Sequence, residues 1–422
     1  MPPKTTRRHR QGAESRQRIL EAALEIAAVR GYDGTTVSLV TERASLPPSS
    51  VYWHFRNKDD LMAAALEHSY AQWRAQRPVI PASDEPADQQ IRDRIGRMTQ
   101  TATSQPEFLR LGLMLVLMRS PDPIAARDRY LAVRQDTRTA YLAWWQRLLA
   151  DSPTCAAAAQ RLTILQLSAS DGLFLASAAE PTWDIPGMVE ELAEAFVLLA
   201  HEWGIRAPES ATDPLPEAPD LPTPAEPDSR LRLIAAAAEV VAERGYVGTT
   251  ISRVVARSGV PVSSLYYFFK DKDDLLAAVV DHSFAEWNAR QPPFTPSGPV
   301  ERAATLRHVL RSSTRSLAGA PDFLRIGHLA SLELREVDTA ARRGFIDTRD
   351  RVLAGLTAWF TDALAGTSAD QDPGLPQLLA RILMAMTDGL FIAEQVDEWE
   401  WDFDDVVAGL VALLETVIRR HS

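Results

Sequence analysis

The segment Arg30 to Val40, "RGYDGTTVSLV", returns 214 positions later as "RGYVGTTISRV" at Arg244 to Val254. The match extends well beyond that phrase. Glu14–Pro78 aligns with Asp228–Pro292 without a gap, and 33 of 65 positions are identical. The register then drifts but survives: "PEFLRLG" at Pro106 matches "PDFLRIG" at Pro321, and "SDGLF" at Ser170 matches "TDGLF" at Thr387. Trp183-Asp184 likewise matches Trp401-Asp402. A period this long excludes a solenoid and implies two whole modules. A chain of 422 residues has room for two to four domains. The stretch 204–227 carries seven prolines and five acids with few large apolar residues, so it reads as a stiff, solvated linker.

Each half reads as helical throughout. Ile19, Leu20, Ala23, Leu24, Ala27 and Ala28 form a stripe with helical spacing, and Gly31 supplies a left-handed helix end. Thr35 and Thr36 suit the N-cap of a second helix. "LPPSS" ends that helix, "SSVYWHF" makes a short third one, and Asn57 caps a fourth with Asp59 and Asp60 in its first turn. No long period-two pattern appears, so the expected fold is all-α. A helix-turn-helix unit opens each module, and a C-terminal helical ligand-binding and dimerisation domain follows it. The implied boundaries are a basic arm at 1–13, helix-turn-helix units at 14–60 and 228–274, helical domains at 61–203 and 275–422, and the linker between.

The segments "GYDGTTVSLVTERASLPPSSVYWHFRNKDDL" and "GYVGTTISRVVARSGVPVSSLYYFFKDKDDL" resemble the DNA-binding segment of the TetR family of bacterial repressors. The shared features are the G-Y-x-G-T-T entry, a serine-tyrosine recognition helix ending in Phe, and the K-x-x-L start of helix four. The resemblance implies a ligand-responsive regulator, most simply a repressor, with a variable helical domain that takes a small molecule. It also implies that the C-terminal helix pairs, about 157–179 with 187–201 and 375–395 with 403–419, form a four-helix interface. One departure stands out: the turn glycine is Gly259 in the second module but Ser45 in the first.

The third helix must enter the major groove while its neighbours touch phosphates. The expected DNA-binding residues are Thr36, Ser38, Pro48, Ser49, Ser50, Tyr52, Trp53, His54 and Lys58 in the first module. In the second they are Thr250, Ser252, Arg253, Ser263, Ser264, Tyr266, Tyr267 and Lys272. Phe55 and Phe269 read as core. The formal net charge of −11 would argue against DNA, but residues 1–60 sum to +3 and 228–274 to +1. Lys4, Arg7, Arg8 and Arg10 form a basic arm, equally readable as a minor-groove contact or a solubilising tail.

The expected ligand contacts are Trp73, Phe108, Met114, Met118 and Phe174 in the first module, and Trp287, Phe323, His328, Ser331 and Phe391 in the second. Core packing is the cheaper account of the tryptophans, including Trp144 and Trp145. The expected effector is largely apolar. Where the first module has "LRLGLMLVLM", the second has "LRIGHLASLEL", so the second cavity should favour a ligand with a polar group if His328 and Ser331 point inward.

The eight histidines and the single cysteine, Cys155, make no metal-site spacing, and no nucleotide loop or nucleophile elbow occurs. No cofactor and no enzymatic activity are expected. One cysteine cannot form an internal disulfide, no apolar run of about 20 residues stands out, and a soluble, cytoplasmic protein without a membrane partner is expected. The expected partners are a double-stranded operator and a small-molecule effector. The chain itself is expected as an internal pseudo-dimer on an imperfect palindrome, with higher association left open. The alternative is a ligand-binding or interaction scaffold with degenerate DNA-binding segments; the matched Thr, Tyr and Lys in both modules weigh against it.

Overall fold

The computed structural model describes residues 4–75, 85–120, 122–205, 228–291, 302–318, 322–333, 338–396 and 402–422, with side chains undescribed at 4–10, 313–318 and 403. Every regular element among them is helical. The first half comprises α1 (Lys4–Gly34), α2 (Val37–Ala44), α3 (Pro48–His54), α4 (Lys58–Ala75), α5 (Ala87–Ser104), α6 (Glu107–Leu117), α7 (Ala125–Leu148), α8 (Cys155–Ala179) and α9 (Ile185–Ile205). The second half repeats the series as α10 (Ser229–Gly248), α11 (Ile251–Ser258), α12 (Val262–Phe268), α13 (Lys272–Ala289), α14 (Arg302–Ala318), α15 (Asp322–Glu333), α16 (Ala340–Leu364), α17 (Leu375–Val396) and α18 (Phe403–Arg420). The linker reading falls at 206–227, outside the described residues. The basic arm is a helical continuation of α1 from Lys4, and the side chains of Lys4, Arg7, Arg8 and Arg10 lie outside the described residues, as does Trp401.

Local chemistry sets the helix boundaries at the DNA-binding end. Gly31 and Gly245 adopt φ of 65° and 72°, and α1 and α10 kink there. The hydroxyls of buried Thr35 and Thr249 then donate to the Gly31 and Gly245 carbonyls at 2.7 and 2.8 Å. Thr36 and Thr250 cap α2 and α11, accepting from Leu39 N at 3.3 Å and Arg253 N at 3.4 Å. Asn57 accepts from Asp60 N at 2.8 Å and Asp271 from Asp274 N at 2.9 Å, which starts α4 and α13.

The duplication divides the chain, but the cores do not follow it. One core joins the DNA-binding helices of both halves to α6 and α15, through Ile19, Leu61, Met114, Leu233, Leu275 and Phe345. The other joins α5, α8 and α9 to α17 and α18, through Ile95, Leu165, Phe196, Leu383, Leu410 and Val417. The expectation that no segment is apolar enough to span a bilayer is corrected: α8 and α17 pass on length and hydropathy, but 83% and 78% of their most apolar windows are buried in protein. They are the core helices of the interface between the halves.

Where α8 crosses α17 the backbones touch. A Cβ on Gly172 would fall inside the Ala385 carbonyl oxygen, and one on Gly389 inside that of Ser168. Ion pairs flank the crossing: Arg161 with Asp405 at 2.7 Å, Arg349 with Glu180 at 3.2 Å, and Arg419 with Glu202 at 2.9 Å. The C-terminal helix pairs expected to pack together thus do so within one chain.

Three stability predictions follow from this geometry. Gly172→Ala and Gly389→Ala should each cost about 3 kcal/mol or more in urea unfolding, because a backbone carbonyl cannot step aside as a side chain can. Gly96→Ala, exposed on α5 with open space at its Cβ position, should instead gain roughly 0.5–1 kcal/mol. Ser45 holds the left-handed turn (φ 52°) that Gly259 holds in the second half (φ 64°). Ser45→Gly should therefore stabilise the first helix-turn-helix by about 1 kcal/mol, read as a higher urea midpoint.

Candidate nucleic-acid interface and ligand cavity

The recognition helices α3 and α12 are seven residues long, and each buries one side chain of its own, Val51 or Leu265. Phe55 and Phe269, just past their ends, complete the anchorage as core residues, with the Arg16 and Arg230 guanidiniums over their rings at 5.5 and 5.6 Å. The rest of each helix faces outward. Trp53 is 76% exposed and Tyr267 83%, while Tyr52 and Tyr266 are 60% and 58% exposed. Such large aromatic exposure on a short helix costs solvation unless a partner covers it. Thr36, Ser38, Pro48 and Ser49 are exposed beside Tyr52 and Trp53, as are Thr250, Ser252, Arg253 and Ser263 beside Tyr266 and Tyr267; Ser50 and Ser264 are half-buried.

Three of the expected contacts are committed in part to the protein itself. The His54 Nε2 lies 2.9 Å from Ser15 Oγ, which ties α3 to α1. Burial, then the charge of Arg16, lowers its pKa. The Lys58 and Lys272 ammoniums donate to the Tyr32 and Tyr246 carbonyls at 3.1 and 3.0 Å and sit over the same tyrosine rings, at 4.1 and 4.9 Å. Burial lowers both lysine pKa values, and neighbouring carboxylates oppose it. Their first role is to hold the Gly-Tyr turns.

Those two turns meet each other. Gly34 faces Val247 and Gly248 faces Asp33, which lie 3.1 and 3.2 Å from where a Cβ would stand, and Arg244 reaches Asp33 at 3.7 Å. The Arg119 amide donates to the Ala242 carbonyl at 2.5 Å, tying the end of α6 to α10.

A cavity of about 120 Å³, partly open to solvent, lies in the second half between α13, α14, α15, α16 and α17. Its walls are apolar, among them Phe284, Trp287, Leu310, Phe323, Leu356 and Met384. Thr348, Arg349, Thr387 and Asp388 make its one polar end. The Arg349 guanidinium donates to Asp388 at 2.7 Å and to Glu180 of the first half at 3.2 Å, but its Nη2 is buried without a partner. Burial alone would lower the Arg349 pKa; Asp388 and Glu180 hold it above the ordinary value. Asp388 is held below its ordinary value against burial, by Arg349 and then His328. Burial raises Glu180 despite Arg349, so Glu180 is the weaker of the two partners. At the matching place in the first half, Arg134 and Asp171 close a two-pronged pair at 2.9 and 2.6 Å.

Of the ten expected ligand contacts, Trp287 and Phe323 line this cavity. Phe108, Met114, Met118 and Phe174 are buried core, and half-buried Trp73 stacks between Tyr70 and Phe108. His328 and Ser331 are buried, but neither lines the cavity. His328 Nε2 lies 3.3 Å from Asp388, and its ring packs against Phe345 and Phe391; the Ser331 hydroxyl donates back to Gly327 O at 2.9 Å. Ser331 is thus satisfied within its own helix. Arg349, Asp388 and Glu180 were not expected. The signal for Asp388 was the duplicated Asp-Gly pair of "SDGLF" and "TDGLF". Among the described residues, no group of three His, Cys, Asp or Glu is placed to hold a metal.

The profile of "Bacterial regulatory proteins, tetR family" matches twice, at residues 19–65 and 233–279, each spanning a helix-turn-helix unit and the start of the helix after it. The chain is 26% identical over 197 residues to the fatty acid metabolism regulator protein of Bacillus subtilis (strain 168), covering 45% of this chain and 91% of that one. It is 38% identical over 53 residues to the HTH-type transcriptional regulator SrpR of Pseudomonas putida, covering 13% of this chain and 25% of that one. Among solved structures, the transcriptional regulator FadR from Bacillus subtilis in complex with stearoyl-CoA matches 43% of this chain and 97% of its own, at 17% identity and a TM-score of 0.33. Two exposed recognition helices and two matched DNA-binding domains lead to one conclusion: the chain is a DNA-binding transcriptional regulator that carries the DNA-binding domain of the tetR family twice.

Proposed function

We propose that one chain grips one operator with both helix-turn-helix units, as an internal pseudo-dimer, and that a ligand in the second-half cavity controls this grip, most simply as a repressor. The observation that carries the reading is the pairing of two outward recognition helices with a backbone-close crossing of α8 and α17 in the same chain. A homodimer presents two identical surfaces and suits a perfect palindrome. Here Pro48, Trp53 and His54 face Val262, Tyr267 and Phe268 as counterparts, and Leu39 faces Arg253, so the two half-sites should differ. The phosphate contacts fall to the Tyr52 and Tyr266 hydroxyls, the serines before them, and the ammoniums of Lys58 and Lys272. DNA as partner places the protein with the chromosome, in the cytoplasm.

The cavity's chemistry sets the ligand class. Apolar walls with one unpartnered guanidinium nitrogen, the Arg349 Nη2, suit an amphiphile with a hydrocarbon body and a carboxylate or carbonyl head. That chemistry agrees with the fatty acid metabolism named for the Bacillus subtilis relative. An anionic head on Arg349 competes with Glu180, the weaker of its partners, and so reaches the first half through one ion pair. Such a ligand acts only through different affinity for the DNA-binding and released arrangements.

Gel shifts against the DNA upstream of the gene, at several salt concentrations, test the first part. Binding should weaken steeply with salt. Trp53→Ala and Tyr267→Ala should each lower affinity about 5- to 150-fold, consistent with roughly 1–3 kcal/mol per base contact, and each should spare mutations in the other half-site. Two chains per operator by sedimentation, or tightest binding to a perfect palindrome, would overturn the pseudo-dimer. For the second part, laurate should raise the melting temperature of the wild type more than dodecanol does. Leu356→Trp, which fills the cavity, should abolish both shifts; equal shifts in that variant would place the ligand elsewhere.

A further inference from the structure

The ends of α6 and α15 stand at matching places, yet Met118, which caps α6, is matched by Glu333, the last residue of α15, in "PEFLRLGLMLVLM" and "PDFLRIGHLASLE". Glu333 is buried, at the point where the two Gly-Tyr turns approach. Its carboxylate accepts from Tyr246 N at 3.3 Å and Val247 N at 3.0 Å, amides that follow the kink at Gly245. On its other side it lies against Gly31 of the first half, where a Cβ would come within 3.0 Å of its Cδ and Oε1; a Cβ on Gly245 would overlap it. One carboxylate thus fills the space between two copies of the same turn.

We propose that Glu333 is a positioning residue for DNA binding, a one-sided clasp that sets the separation of the two helix-turn-helix units and opens when its carboxylate is drawn into water. The consequence for an operator rests on the DNA-binding reading above; the clasp itself does not. The charged groups facing Glu333 are Lys272 on α13 and Asp33 in the first-half turn. Lys272 is bonded to the Tyr246 carbonyl, and Asp33 lies 3.7 Å from Arg244 and 3.9 Å from Lys58. Burial pushes the Glu333 pKa up to about 7, against the two amides and Lys272 and with the help of Asp33. In an open arrangement the carboxyl meets water and returns to about 4.3. Between those values the closed arrangement holds more protons, so rising pH favours opening. The closed-to-open ratio should fall about tenfold from pH 6 to pH 8.

The test uses the full chain without DNA, spin-labelled through Ser49→Cys and Ser263→Cys in a Cys155→Ser background, with distances read by pulsed electron resonance. The wild type should show one short separation at pH 6 and a growing longer population at pH 8. Glu333→Gln, which cannot ionise, should show the same distribution at both pH values. Glu333→Met, carrying the residue of the first half, should also lose the pH dependence, and serves if the glutamine variant does not fold. A wild-type distribution unchanged between pH 6 and 8, or a pH shift that persists in either variant, would overturn the proposal. Because no DNA is present, neither result depends on whether the operator reading holds.

Discussion

The structure depends on how closely the backbones of α8 and α17 approach. Glycine at 172 and 389 removes the side chains that would hold them apart, and the two helices then bury the rest of their apolar surface on each other. An isolated half would expose that surface to water at a cost that scales with its area. Both hydrophobic cores therefore draw residues from both halves. The crossing also brings Glu180 and Trp183 of the first half beneath Arg349 of the second, the guanidinium standing 5.6 Å from the indole ring. The polar end of a second-half cavity is thus held in place partly by first-half residues.

At the far end a second contact couples the halves, made by turns rather than helices. Gly34 against Val247, Gly248 against Asp33 and Glu333 between Gly31 and Gly245 leave little free volume, so a change in one turn is felt by the other. The helix α15 spans the distance between the two regions. Phe323 and Leu324 in its first turns line the cavity, and Glu333 ends it at the turns. A rigid helix with a ligand wall at one end and a buried carboxylate at the other is a physical connection between cavity and DNA-binding units.

Much of this was legible in the sequence, because the signals were local. Thr36, Asn57 and Gly31 announce caps and a kink through their own backbone preferences, and a recognition helix with so few apolar anchors can only face outward. What stayed hidden concerns partners distant in sequence. The ammonium of Lys58 was expected on a phosphate, but the carbonyl 26 residues before it lies within reach first. Helical spacing placed His328 and Ser331 on one face correctly as neighbours, yet it could not say that Ser331 would bond its own helix and His328 would bond Asp388. Apolar residues such as Met114 and Phe174 look alike whether they fill a core or line a void, since periodicity reports burial and not empty space. In the sequence Glu333 stands out only as a polar residue where the first half has Met118; the assembled turns bury it.

The differences between the halves form a pattern. At three matched places the first half keeps a closed or apolar solution where the second admits a polar group. Leu113 is replaced by His328, Met118 by Glu333, and the closed Arg134–Asp171 fork by an Arg349 that retains a free N–H. Each substitution costs desolvation, which well-paired apolar neighbours avoid. A homodimer would incur every such cost twice, once per subunit, and would lose stability accordingly. A fused duplicate incurs it once, while the first half keeps Leu113 and Met118 at two of these places. Marginal stability makes that distinction matter, since a few kcal/mol is a large fraction of what holds a fold together. Duplication within one chain therefore lets one half carry buried titratable groups that the other half does without.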